Sequence, residues 1–102
     1  MIKVTIVYKG KGVESLLIKG HANTGEYGKD LVCAGVSAVA VGALNALEEV
    51  DSYTIEVEDG RIYGEFGEHL SEHDAIVLET MILQLKTIQA SYSEGIEIKE
   101  RK

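Results

Sequence analysis

A chain of 102 residues, 45% hydrophobic and 26% charged, is one globular domain's worth and can bury a core without metal or disulfide staples. A formal net charge of −7, with basic clusters only at Lys9–Lys11 and Lys99–Lys102, argues against direct nucleic-acid binding, because that affinity comes mostly from neutralising phosphates. One cysteine excludes an intrachain disulfide and fits a reducing compartment, and the lack of proline removes any Pro-rich linker.

Ile2, Val4, Ile6 and Tyr8 alternate with Lys3, Thr5 and Val7, the period of a half-buried strand. This opening stretch has no continuous apolar core of the kind a signal peptide carries. Residues 9–12, KGKG, read as a turn, and Val13 to Lys19 read as a second strand that makes a hairpin with the first. Gly20 to Lys29 has three glycines and no period, so it reads as a loop. A helix is predicted from about Asp30 to Val50. It is apolar nearly all round, as a helix buried on most sides should be. Gly35 and Gly42 share one of its faces and predict a close approach by another backbone. The uncharged run from Leu31 to Leu47 has 17 residues, short for a bilayer span. Its alanines and glycines, with Ser37 and Asn45, mark a buried helix, so no membrane association is expected.

Tyr53, Ile55 and Val57 alternate with Thr54, Glu56 and Glu58, and Asp59–Gly60 is a two-residue hairpin turn leading to a partner strand through Ile62 and Phe66. Ser71 with Asp74 three residues on resembles a capping box, with Asp in the place of the usual Glu or Gln. Val77, Leu78, Met81, Leu85, Ile88 and Tyr92 follow helical spacing, Gly95 ends that stretch, and Ile96 and Ile98 make a short last strand. The order ββαββαβ predicts a single α+β domain, residues 1–102, with one mixed or antiparallel sheet and two helices.

The candidate chemistry lies in residues 20–38, GHANTGEYGKDLVCAGVSA. Cys33 falls in the first turn of the first predicted helix. Backbone N–H groups there lack intrahelical partners and carry partial positive charge, which favours a thiolate, the nucleophilic form. A nearby imidazolium at His21 would lower the thiol's pKa further and then act as general acid for a leaving amine. The same N–H groups suit an oxyanion. Asp30, Cys33 and Ser37 stand at i, i+3 and i+7 on one helix face. Ser37 is placed to hydrogen-bond the sulfur or a substrate. Asp30 is placed to cap the helix or to orient His21, since a carboxylate beside the thiol would oppose its ionisation. The plain alternatives are a core cysteine, a loop histidine, an N-cap aspartate and a serine bonded to its own helix.

Other motifs do not complete themselves. NTGEYGKD lacks the first glycine and the hydroxyl residue of a phosphate loop. His69 and His73 are four apart but lack the third and fourth ligands a zinc site needs, so no metal is expected.

GHA, an eight-residue loop ending in GKD, then LVCAGVSA and NAL resemble the bacterial ribosomal-processing cysteine protease family, Prp. The resemblance spans essentially the whole chain. It implies a cytoplasmic homodimer without cofactor that removes the N-terminal extension of a ribosomal protein, number twenty-seven of the large subunit. It implies Cys33 as nucleophile and His21 as base and acid. Gly20, Asp30 and Ser37 match further motif positions, and Ala22, Asn23, Thr24, Gly25, Glu26, Tyr27, Gly28 and Lys29 match a substrate loop. The alternatives to an enzyme are a non-catalytic ribosome-assembly or peptide-binding module, and a thiol redox switch at Cys33.

Overall fold

The computed structural model describes residues 1–21, 30–68 and 70–102. Alternation of apolar and polar residues produces strands β1 (Ile2–Lys9) and β2 (Gly12–Lys19), joined as an antiparallel hairpin in which Val4 faces Ile18. Strands β3 (Thr54–Glu58) and β4 (Arg61–Glu65) form the second hairpin, closed by Asp59–Gly60 with Gly60 at φ +75°. β4 pairs antiparallel with β2, and β5 (Ile96–Arg101) runs parallel to β1. The sheet order is β3-β4-β2-β1-β5. The sheet is therefore mixed, because the long helix between β4 and β5 carries the chain back so that β5 starts at the same end as β1.

Two helices cover one face of this sheet: α1 (Leu31–Asn45) and α2 (Glu72–Ser91). On the covered face Ile2, Val4, Ile6, Leu16, Ile18 and Ile62 are buried. α1 answers with Val32, Val36, Ala40 and Leu44, one residue per turn, and α2 with Leu78, Met81, Ile82 and Leu85. These side chains belong to one contiguous apolar cluster.

The composition of α1 predicts burial on most sides, but the structure buries a single stripe. Leu31 is 69% exposed, and Ala34, Ser37, Ala38 and Gly42 also face solvent. α1 has the sheet beneath it and α2 beside it, which leaves its outer side uncovered. The expected close approach at its glycines is correspondingly weak. A Cβ at Gly35 would touch only Ile88 Cδ1, at 3.5 Å, and one at Gly42 would meet nothing within 4 Å among the described residues.

α1 also stops earlier than the sequence predicts, at Asn45 instead of about Val50. Asp74 supplies the reason. Its carboxylate is fully buried and accepts the backbone N–H groups of Glu48 (2.9 Å) and Glu49 (3.1 Å) and the hydroxyl of Tyr53 (2.6 Å). Those two N–H groups turn to the carboxylate and are lost to a continuing helix. His73 Nδ1 stands 2.9 Å from the same carboxylate. Half of the expected capping box is present, since Ser71 Oγ accepts the Asp74 N–H at 3.1 Å, while the Asp74 side chain reaches across to the end of α1.

Burial alone would raise the Asp74 pKa. The hydrogen bonds from Tyr53, His73, Glu48 and Glu49 outweigh it and hold the carboxyl well below its ordinary value of 3.8. Burial and the bond to Asp74 push the Tyr53 phenol up to about 12. A folded-state pKa below the unfolded one means that the unfolded chain takes up the proton first as pH falls. The contribution of Asp74 is thus complete above the ordinary carboxylate range and is lost on acidification below it. Asp74→Ala is expected to cost about 3 kcal/mol in urea unfolding near neutral pH, because it leaves donors at the helix junction without their acceptor. It should also flatten the loss of stability below the carboxylate range. An acid limb as steep as that of the wild type would contradict this assignment.

Candidate active site

The candidate histidine is set by two glycines. Gly20, the residue after β2, has φ +95°, and a Cβ there would lie 2.8 Å from the Met1 carbonyl oxygen. Both the left-handed backbone and the crowding demand glycine. The Gly20 N–H donates to the Gly60 carbonyl at 2.9 Å, which ties the end of β2 to the turn between β3 and β4. His21 follows directly and is exposed. Its ring packs against the bare backbone of Gly60, where a Cβ would stand 3.2 Å from His21 Nε2.

The candidate nucleophile is set by a helix cap. Asp30 is the N-cap of α1, and its Oδ1 accepts the Cys33 N–H at 3.1 Å. Of the two placements open to Asp30 in the sequence, the structure shows the cap. One expectation changes with it. The sequence suits the first-turn N–H groups to an oxyanion, but that of Cys33 is engaged by Asp30. Cys33 itself is half-buried, at the edge of the apolar cluster.

His21 and Cys33 line the same cleft. A cavity of about 310 Å³ is lined by Gly20, His21, Cys33 and Ser37 among others. Ile2, Ile18 and Ile62 form its floor, Val36 and Val41 of α1 one side, and residues 57–61 the other. Four of the predicted residues, Gly20, His21, Cys33 and Ser37, therefore share a site. Asp30 acts from behind through the Cys33 N–H and is not among the lining residues. Ala22, Asn23, Thr24, Gly25, Glu26, Tyr27, Gly28 and Lys29 lie outside the described residues. Sequence reasoning missed the contribution of Val57 to Arg61. The Asp59–Gly60 signal located a turn in the chain, but nothing local says that this turn stands beside His21.

A second polar cluster lies elsewhere. Ligand atoms of Glu48, His73 and Asp74 are within 4.8 Å of one another. The Asp74 carboxylate there already accepts two backbone N–H groups and a tyrosine hydroxyl, which makes it a structural anchor. His69, which the sequence pairs with His73, is outside the described residues.

The family model for cysteine protease Prp matches residues 1–97. The ribosomal processing cysteine protease Prp of Bacillus subtilis (strain 168) is 37% identical over 107 residues, covering 96% of each chain. A crystal structure of an essential ribosomal processing protease Prp from S. aureus with a covalently linked product peptide superposes with a TM-score of 0.88. It is 34% identical and covers 99% of this chain and 100% of that one. The S. aureus protein with a substrate peptide gives a TM-score of 0.84 at 33% identity, with the same coverage.

Two substitutions test how the site is held. Asp30→Ala should lower stability by about 1 kcal/mol through loss of the cap, while Asp30→Asn, itself a good N-cap, should retain most of it; urea midpoints decide. Equal losses in both would mean that the charge and not the cap matters. Gly60→Ala should cost about 1–2 kcal/mol from its positive φ and shift the NMR signals of the His21 ring. Gly10→Ala, at φ +63° with nothing within 4 Å of the added Cβ, should cost similar strain and leave those signals in place.

Proposed function

The chain belongs to the cysteine protease Prp family, and from that membership we propose that residues 1–102 act as one cysteine endopeptidase domain with Cys33 as nucleophile and His21 as its acid–base partner. The observation that carries this reading is the cleft. Two residues twelve apart in sequence, placed by separate elements, line one cavity with Ser37 between the sheet and α1.

The steps follow from the groups present. His21 takes the Cys33 thiol proton, and the thiolate at the start of α1 attacks the scissile carbonyl carbon. Asp30 holds the Cys33 N–H in this structure, so that donor is engaged by the cap and does not face an oxyanion. The tetrahedral intermediate collapses as His21 gives its proton to the departing amine. Water, deprotonated by His21, then releases the acyl group from sulfur. Ser37 contributes a hydroxyl to the substrate or the sulfur, and Asp30 holds the helix start in register. Residues 22–29, between the two reacting groups, contact the substrate. No cofactor or metal enters these steps.

The substrate in this reading is the N-terminal extension of large-subunit ribosomal protein number twenty-seven, cut in the cytoplasm by a homodimer. Relatives carrying the ribosomal-processing name support this, as do those captured with a substrate peptide or a covalently linked product peptide. A net charge of −7 suits a strongly basic ribosomal partner. An unpaired cysteine suits a reducing compartment, and no helix among the described residues is long and apolar enough to cross a membrane.

Incubation of the protein with the extended ribosomal protein, followed by intact-mass analysis, should give a shortened product. Cys33→Ala should give none, and His21→Ala should slow release at least about a hundredfold. Product at the wild-type rate from Cys33→Ala would sink the protease reading. Binding of the extension without any cleavage by the wild type would favour the non-catalytic peptide-binding module.

A further inference from the structure

We infer that the substrate binds as an added strand on the outer edge of β3, with Ile55 and Val57 supplying the main-chain hydrogen bonds and Val57 also forming one wall of the cleft. This rests on the protease reading above and specifies how that site takes its peptide.

The register of the second hairpin decides which groups face outward. Asp59–Gly60 is a two-residue connection, so Glu58 and Arg61 form the closing hydrogen-bonded pair. Bonded pairs alternate along an antiparallel ladder. Glu56 with Tyr63 and Thr54 with Glu65 are then bonded, while Val57 opposite Ile62 and Ile55 opposite Gly64 are not. The N–H and C=O of Ile55 and Val57 therefore point away from β4. β3 is the last strand on its side of the sheet, and among the described residues no strand pairs with that edge.

The side chains make the same edge continuous with the cleft. Val4, Ile18, Ile62 and Val57 face one another in a row across four strands on the helix-covered side. Exposure along this row is 1%, 4% and 7%, then 54% at Val57. The row begins under the helices and runs out from beneath them at β3. Cys33 and His21 stand where the cover ends, in the cavity that Ile18, Ile62 and Val57 also line. An apolar side chain left open at Val57 beside the cleft of Cys33 is a place for an apolar substrate side chain. A peptide paired with β3 would put every second side chain onto that surface. Main-chain pairing would supply affinity, and the cleft would supply specificity. The opposite sheet edge, β5, lines no part of this cavity, so only β3 joins strand pairing to the reacting groups.

The test uses a synthetic peptide covering the extension and the first residues of the mature ribosomal protein. Bound to the Cys33→Ala chain, it should slow amide hydrogen exchange at Ile55 and Val57 at least about tenfold and leave the β5 amides unchanged. A series of the same peptide, N-methylated at one amide at a time, should lose cleavage by wild type with a period of two near the cut. Peptide that is cleaved by wild type without protection of Ile55 and Val57, or with N-methyl effects that do not alternate, would overturn this inference and leave the protease reading standing. Failure of the wild type to cleave the unmodified peptide would overturn both.

Discussion

Where α1 sits on the sheet decides where Cys33 stands, and a buried carboxylate on the neighbouring helix fixes the far end of α1. Asp74 draws in the backbone N–H groups of Glu48 and Glu49 and the Tyr53 hydroxyl. It thereby ends α1, seats the start of α2 against it, and anchors the segment that leads into β3. A buried charge without such partners would be costly. Among the described residues every buried side-chain polar atom has a partner. The junction is rigid because each of its polar groups is satisfied from a different segment of chain. Its consequence reaches the cleft, since β3 and α1 form two of its sides.

At the cleft itself, absence of side chain does as much as presence. Gly20 lets the end of β2 pass the Met1 carbonyl, and Gly60 lets the His21 ring lie on the β3–β4 turn. The single bond from the Gly20 N–H to the Gly60 carbonyl joins the two hairpins at the point where His21 emerges. Cys33 is held differently, by a carboxylate cap that engages its own N–H. One member of the pair thus depends on backbone clearance and the other on helix capping. Damage to either should be separable from damage to the core.

Much of this was legible in the sequence, for physical reasons that act over short range. Alternating hydrophobicity marked β1 and β3, because a pleated strand turns successive side chains to opposite faces, and turn signals at residues 9–12 and Asp59–Gly60 marked their hairpin partners. Helical spacing and the Ser71 cap marked α2. The spacing of Asp30, Cys33 and Ser37, with the motif that includes Gly20 and His21, located the candidate chemistry. The end of α1 and the extent of its burial were misread, because both depend on what packs against it. The uncharged run to Leu47 predicts helix past Asn45, and the approach of Asp74, 25 or more residues beyond Glu49, takes the N–H groups that would continue it.

By itself the sequence determined the elements, their order, the family, and the candidate residues for nucleophilic and acid–base chemistry. These follow from local periodicity, turn chemistry and side-chain type. Tertiary structure alone decided that His21 and Cys33 share a cavity, and that Gly60 and Val57 belong to it. It also decided that the apolar row of the sheet runs out from under its helices at β3. Those facts depend on contacts between segments far apart in the chain, and a contact of that kind leaves no trace in the spacing of the residues that make it.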